Sequence, residues 1–285
     1  SDLGFKKICN TLWLHTTTYF AWVVAINNLF TRYGYVSVKP VLCKNTPEWQ
    51  VNVYLDVNAW REAFTSPKNF SKEEKMRFLA RVIDGDGWIS LCEKRSKRPA
   101  FTINITTIYN DKAALLEEVI MDVGLTPSKF KRFRYVEKEF DGHVLKSKHW
   151  EHILTIYRRE DVEEFLKHIK MLHPFKEVKR LWALRILEDG IKKDEARILW
   201  QFIRNLEKLG KLYGQLKAIE QLTIKFERDS QKLQRLIDIR EKLLKKFNTT
   251  QNTVEQLRMY TIKLPKPSSL FSPLKPNLLT SSSHD

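Results

Sequence analysis

The chain has 285 residues, and its 50 Lys and Arg against 34 Asp and Glu give a formal net charge of +16, which favours a polyanionic partner such as nucleic acid or a membrane surface. A hydrophobic content of 42% excludes a generally disordered chain, and 9 glycines argue against a glycine-loop nucleotide-binding fold. Cys9, Cys43 and Cys92 are too few and too scattered for a disulfide framework or a zinc site. We therefore expect an intracellular protein of a reducing compartment, neither secreted nor spanning a membrane.

Residues 1–70 are predicted to form a β-β-α-β-β-α unit. Three of its elements can be given approximate residue ranges. They are strands at about Val36–Cys43 and Trp49–Leu55 and a short helix at about Asn58–Phe64. Thr17, Tyr19 and Gly34 recur at one constant offset as Thr107, Tyr109 and Gly124, which indicates an internal repeat.

Residues 71–190 are predicted to form an α-β-β-α-β-β-α unit. Its first helix begins at Ser71, which forms a capping box with Glu74. The following elements are strands at Trp88–Glu93 and Ala100–Thr107, a helix at about Asp111–Val123, strands at about Lys129–Phe140 and Lys148–Tyr157, and helices from near Asp161, running to Leu172, and from near Phe175.

Residues 191–250 contain no proline and carry an apolar residue every three to four positions, so they are predicted to form a basic amphipathic extension, either one long helix, a helical hairpin or a coiled coil. A dimerisation helix is an alternative function for this segment. Residues 251–285 are rich in Pro and Ser and predict a flexible tail.

Two carboxylates, Asp84 and Asp86, lie in the last turn of the predicted helix 71–87. Negative charge at a helix C-terminus is unfavourable by roughly 0.3–1 kcal/mol per residue, and a bound cation reverses that sign. Oxygen ligands suit Mg²⁺, which takes one or two carboxylates together with substrate phosphate. The alternative is that the helix simply ends in an Asp-Gly turn.

The segment LARVIDGDG, residues 79–87, resembles the LAGLIDADG motif of homing endonucleases and related intron maturases. Gly85 is a usual small residue, whereas Arg81 departs from the family's glycine. The resemblance covers residues 1–190 and implies an α+β, pseudo-twofold αββαββα fold with two antiparallel saddle sheets, here with a C-terminal helical extension. It also implies double-strand DNA cleavage at phosphodiester bonds with Mg²⁺ or another divalent cation such as Mn²⁺.

The same resemblance assigns roles residue by residue. Asp86 matches the metal-binding acid, and Asp84, with Gly85 and Gly87, matches the motif positions that support the helix ends. Lys179 matches the basic residue that positions water or stabilises phosphate charge. The alternative for Lys179 is a solvated helix lysine.

Two weaker assignments complete the site. Thr107 falls where the family has a polar residue beside the active site, although a strand-end or cap hydroxyl is the alternative. The first half lacks its motif helix, and Ser1-Asp2 matches only the end of such a motif, which makes Asp2 a candidate second metal acid.

Basic strand hairpins are the expected DNA contacts, with a merely solubilising hairpin as the alternative. They comprise Lys94, Arg95, Lys97, Arg98, Lys129, Lys131, Arg132 and Arg134. Strand alternation would direct one face to DNA and Phe130 and Phe133 to the helices, or the reverse. The expected partner is double-stranded DNA, and the alternative function is an intron RNA-splicing maturase or a non-cleaving DNA-binding protein. A complete chain would be a monomer, and otherwise a partner chain would supply the missing motif helix.

Overall fold

The computed structural model describes residues 11–43, 45–54, 67–92, 98–140 and 143–262. Its strands are β1 (Thr11–Thr17), β2 (Tyr35–Cys43), β3 (Thr46–Tyr54), β4 (Gly87–Cys92), β5 (Ala100–Thr107), β6 (Pro127–Phe140) and β7 (His143–Ile156). Its helices are α1 (Phe20–Phe30), α2 (Lys72–Asp86), α3 (Asn110–Asp122), α4 (Arg159–His168), α5 (Pro174–Glu188), α6 (Lys193–Lys225) and α7 (Ser230–Ile262), with a 3₁₀ turn at Pro67–Asn69. Within these ranges no helix is both long and apolar enough to cross a membrane.

The strands form two antiparallel sheets, ordered β1-β3-β2 and β4-β5-β7-β6, so the molecule is of the α+β class. The order strand, helix, hairpin occurs twice, as β1-α1-β2-β3 and as β5-α3-β6-β7. At the start of both helices a threonine hydroxyl accepts a hydrogen bond from the amide two residues later, Thr17 from Tyr19 and Thr107 from Tyr109, each at 3.2 Å. These local features recur as the repeat in the sequence predicts.

Strand register gives each sheet an apolar and a polar face, because directly paired residues lie on the same side. In the first sheet Val36 pairs with Val53 on the apolar face, and Lys39 pairs with Gln50 on the polar one. In the second sheet Ile105 pairs with Leu154 on the apolar face, and Asn104 pairs with Thr155 on the polar one. The helices cover the apolar faces.

Most predicted elements are confirmed, and α2 begins with the predicted capping box. Helix α4 ends at His168, before the predicted Leu172, because Asp84 binds the amide of Leu172. The predicted helix at 58–64 lies outside the described residues.

The predicted extension forms a helical hairpin of α6 and α7. Helix α7 continues to Ile262, so residues 251–262 are helical and not part of a tail, which corrects that boundary. Leu236, Leu243 and Val254 follow one another at spacings of 7 and 11 residues, which places them on one face of the helix, and all three are buried, which explains the continuation.

Helix α6 contributes to all three hydrophobic clusters of the described chain. Leu199 and Trp200 join the cluster under the second sheet, Ala218 joins the one under the first sheet, and Leu212 packs against α7. These apolar residues therefore pack within the chain, so they are not available for the dimerisation given as an alternative role.

Candidate active site at the end of helix α2

Helix α2 ends because Gly87 leaves the helical conformation and starts β4. Its backbone is extended, with φ −109° and ψ 171°, and its amide still donates to the carbonyl of Ile83. A Cβ at this position would lie 2.8 Å from the carbonyl oxygen of Asn104 and 2.8 Å from the Cα of Ile83. Glycine is required here by close packing of α2 on β5.

Asp84 is a structural anchor with only 5% of its surface exposed. Its carboxylate accepts hydrogen bonds from the amides of Leu172 at 2.9 Å and His173 at 3.0 Å, and from the guanidinium of Arg81 at 2.7 Å. Burial raises the pKa of Asp84, although these hydrogen bonds and the charges of Arg81 and Lys176 oppose that shift. The carboxylate ties α2 to the segment before α5.

Arg81, the departure from the motif, belongs to the same anchor. Besides Asp84, its guanidinium donates to the carbonyl of Lys170. The arginine thus binds the α4–α5 connection through its side chain, where the family's glycine would offer none.

Lys176, on the first turns of α5, caps the C-terminus of α2. Its ammonium donates to the carbonyls of Ile83 at 2.6 Å, Asp84 at 2.7 Å and Gly85 at 3.4 Å, which are groups that a helix end leaves unsatisfied. Burial lowers the pKa of Lys176 to about 8, against the opposing charges of Asp84 and Asp86. The sequence does not single out Lys176 as a site residue, although it lies in the same HPFKEVK segment as Lys179.

Asp86 is exposed at the tip of the helix, unlike Asp84. Its backbone carbonyl accepts a hydrogen bond from the Thr106 hydroxyl at 3.3 Å, and its charge acts on Lys176. Across the described ranges no group of three or more His, Cys, Asp or Glu is arranged to hold a metal. Asp86 therefore fits Mg²⁺ only in the form in which a single carboxylate is completed by phosphate oxygens and water.

The alternative for Lys179 was a solvated lysine on the helix surface, but the structure places it in an ion pair. Its side chain is 12% exposed, and its ammonium lies 2.5 Å from the carboxylate of Glu207 on α6. The Tyr19 hydroxyl donates to the same carboxylate at 3.5 Å, and burial followed by the Glu207 charge raises the pKa of Tyr19. Glu207 lies in the extension, and the sequence does not predict it as a site residue because nothing in its own segment distinguishes it from the other acidic residues there.

An aromatic cluster surrounds this ion pair and joins the two sheet units. The ring of His173 lies 5.2 Å from Tyr19 and 5.1 Å from Trp22, and Phe175 lies 5.5 Å from Tyr19. Helices α1, α2, α5 and α6 therefore converge at the end of the motif helix.

Of the two remaining site assignments, the structure describes Thr107 but not Asp2. The Thr107 hydroxyl accepts from the Tyr109 amide, so it acts as the cap hydroxyl given as its alternative. Asp2 lies outside the described residues.

The basic residues of β6 are split between the two faces of the second sheet. Arg132 pairs with Glu151, and Arg134 and Phe130 share its polar face, whereas Lys129, Lys131 and Phe133 lie on the opposite face. Phe130 and Phe133, three positions apart, therefore cannot both face the helices, and that part of the prediction is wrong.

The contacts of these side chains follow the same division. The Glu151 carboxylate accepts from Arg132 Nε at 3.1 Å and from Arg134 Nη1 at 3.3 Å, and Lys129 lies 2.6 Å from Glu117 of α3. Arg98 is exposed, and Lys94, Arg95 and Lys97 lie outside the described residues.

No protein-family model matches this chain, and no curated protein matches it. Among solved structures, it is similar to the homing endonuclease I-CvuI, crystallised with the I-CreI target in the presence of 2 mM Mg and with the DNA not cleaved, at 12% identity and a TM-score of 0.25. The match covers 61% of this chain and 98% of that one. Similarity at this level carries no weight for the function, which rests on the residues of the site.

Proposed function

We propose that this protein is a site-specific double-strand DNA endonuclease of the LAGLIDADG homing type. The observation that carries the proposal is that the two carboxylates at the end of α2, Asp84 and Asp86, have different environments. Asp84 is buried and held by three donors, while Asp86, two residues on, is exposed beside the buried ammonium of Lys176. A helix that is anchored through one carboxylate presents the other in a fixed position, as a metal-assisted reaction requires.

Asp86 is the residue that would hold Mg²⁺ or Mn²⁺ together with phosphate oxygens of the DNA. A divalent ion bound there acts as Lewis acid and orients the scissile phosphate. Lys176 supplies positive charge beside Asp86, and Lys179, three positions further along α5, is held in an ion pair with the Glu207 carboxylate. Asp2 remains the candidate for a second metal acid.

The polar faces of the two sheets are the proposed DNA surface. In the second sheet Asn104 binds Thr102 at 3.1 Å and Thr155 at 2.9 Å, so its amide is held in one orientation. Arg132 and Arg134 lie on the same face and extend this surface with groups that contact phosphates and guanine edges.

The test begins with selection of bound sequences from a random duplex pool, followed by cleavage of a plasmid carrying the selected site. We expect linear product with Mg²⁺ or Mn²⁺ and none with EDTA. Asp86→Asn should retain DNA binding and lose cleavage, whereas Asp194→Asn, a change at a side chain that is 89% exposed on α6, should cut normally. Absence of cleavage by the unsubstituted full chain on its selected site would reject the proposal.

A non-cleaving role, as an intron RNA-splicing cofactor or DNA-binding protein, is the second candidate. The ion pair of Lys179 with Glu207 favours it, because that pair neutralises the residue expected to act on phosphate. In this case RNA or DNA binding and any splicing activity should be the same in Asp86→Asn and in the unsubstituted protein.

A further inference from the structure

An open groove lies on the face of the second sheet opposite to Arg132 and Arg134. It encloses about 420 Å³ and is lined by Ile108, Asn110, Lys131, Trp150 and His152. Lys131 and His152 are directly paired on this face. The groove is thus bounded by the β6–β7 hairpin and by the residues that lead into α3, and it is separate from the proposed duplex surface.

Trp150 forms an aromatic platform at the groove. It is 56% exposed, and its ring meets that of Phe133, itself 50% exposed, edge to face at 5.3 Å. Large apolar groups exposed together indicate a binding surface. This contact occupies at most one face of the indole, so the other face can stack with another planar group.

His152 supplies an unused polar group. It is 4% exposed, and within the described part of the chain its Nδ1 is buried without a hydrogen-bond partner. Such a group is rare in folded proteins and calls for a partner outside the chain. Burial, followed by the charges of Lys131 and Lys129, lowers the pKa of His152, which leaves a neutral ring with one donor and one acceptor.

Two features that favour an anion also lie at this groove. Lys131 lines it, and Asn110 is the first residue of α3, a 13-residue helix whose N-terminal amides the Tyr109 side chain does not cap. A helix N-terminus and a lysine together favour an anion such as phosphate.

We propose that this groove binds one unpaired nucleotide of a single-stranded nucleic acid, with its base stacked on Trp150, its base edge bonded to His152 and its phosphate beside Lys131. A planar ring, a polar edge and an adjacent anion are the features that distinguish a nucleotide, and single-stranded nucleic acid is recognised through aromatic stacking and backbone charge. The site goes beyond the proposed cleavage function, because the groove faces away from the duplex surface and includes none of the residues at the end of α2.

The test measures fluorescence anisotropy of labelled single-stranded oligouridine and oligodeoxyuridine with the full chain. Trp150→Ala should weaken binding by about fivefold to 100-fold, whereas Trp150→Phe, which keeps a stacking ring, should recover most of it. Lys131→Ala should reduce the slope of log affinity against log salt by about 0.7, and Trp150→Ala should leave that slope unchanged. Comparison of the two oligonucleotides shows whether the sugar is ribose or deoxyribose.

The control is Tyr260→Ala, which removes an aromatic ring that is 61% exposed on α7, outside both sheets. Unchanged single-strand binding in this variant supports the proposal, and an equal loss in both variants overturns it. Unchanged binding in Trp150→Ala also overturns it, once circular dichroism shows the native fold. Asp86→Asn should bind the oligonucleotides normally, so failure of the cleavage function and failure of this site give different results.

Discussion

Asp84 and Asp86 are two residues apart, yet the fold gives them opposite environments. Asp84 lies inside and satisfies two backbone amides and Arg81, whereas Asp86 lies at the surface. We therefore expect Asp84→Asn to lower the free energy of unfolding by about 2–3 kcal/mol, because a buried amide group would then oppose N–H donors. Asp86→Asn should change it by less than about 0.5 kcal/mol. Urea denaturation of both variants measures the difference, and equal effects would contradict the assignment.

Lys176 gives the site a titration near neutral pH. With the lysines ¹³C-labelled by biosynthesis, their Cε resonances should include one NMR signal with a midpoint of about 8, and Lys176→Met should remove it. A midpoint near the ordinary value of 10.5 would contradict the burial of this ammonium.

The same shift has a defined effect on stability. The folded chain releases the proton at about pH 8 and the unfolded chain at about 10.5, so between these values the unfolded state binds more protons. The contribution of Lys176 to the free energy of unfolding should therefore rise with pH across that window. Lys176→Met should flatten the rise, as measured by urea midpoints at successive pH values.

Helix α6 can approach α1 because it carries glycine at the crossing point. A Cβ on Gly214 would overlap the carbonyl oxygen of Thr18 and lie 2.8 Å from the nitrogen of Phe20, both backbone atoms that cannot move aside. The Gly214 carbonyl also accepts a hydrogen bond from the Trp49 indole at 2.9 Å. The crossing thus fixes α6 under the first sheet.

Gly214→Ala should consequently destabilise the protein by about 1–3 kcal/mol, although glycine to alanine inside a helix ordinarily stabilises by up to about 1 kcal/mol. Gly210→Ala is the matched control, because the three atoms nearest to its Cβ belong to the side-chain ring of Phe175 and not to the backbone. Thermal unfolding monitored by circular dichroism should rank the two variants in this order. A stabilised Gly214→Ala would show that α6 does not approach α1 this closely.

Local patterns in the sequence predict the elements well, and long-range packing accounts for what they miss. The capping box of Ser71 and the alternation in FTINITT are readable because their causes lie within a few residues. The sequence does not predict which of Lys176 and Lys179 lies at the end of α2, because both are on α5. The packing of α2 and α6 around α5 decides it, so Lys176 contacts α2 and Lys179 contacts α6. For the same reason Glu207 was not predicted.

At the scale of the molecule, the helical hairpin belongs to the core of the protein. Helix α6 contacts the first sheet through Ala218 and the second through Trp200, whose ring meets Phe101 at 5.0 Å. Composition and charge set this segment apart in the sequence, but its apolar positions pack against both sheets.

Removal of residues 193–262 should therefore expose apolar surface in both units. We expect a chain ending at residue 192 to bind the dye ANS and to lose near-ultraviolet circular dichroism, in contrast to a chain ending at residue 262, which keeps both helices. A shortened chain that unfolds cooperatively with an unchanged urea midpoint would contradict the packing of α6.

The bond between Trp49 and Gly214 spans 165 positions of sequence, and this separation governs the order in which the protein can be built during translation. The strands of the first sheet leave the ribosome well before the helix that covers their apolar side is synthesised. Until then Trp49, Val51 and Val53 lack part of their native packing, and closing so long a loop is slow. Until α6 is made, the strands of the first sheet are therefore exposed to aggregation during synthesis.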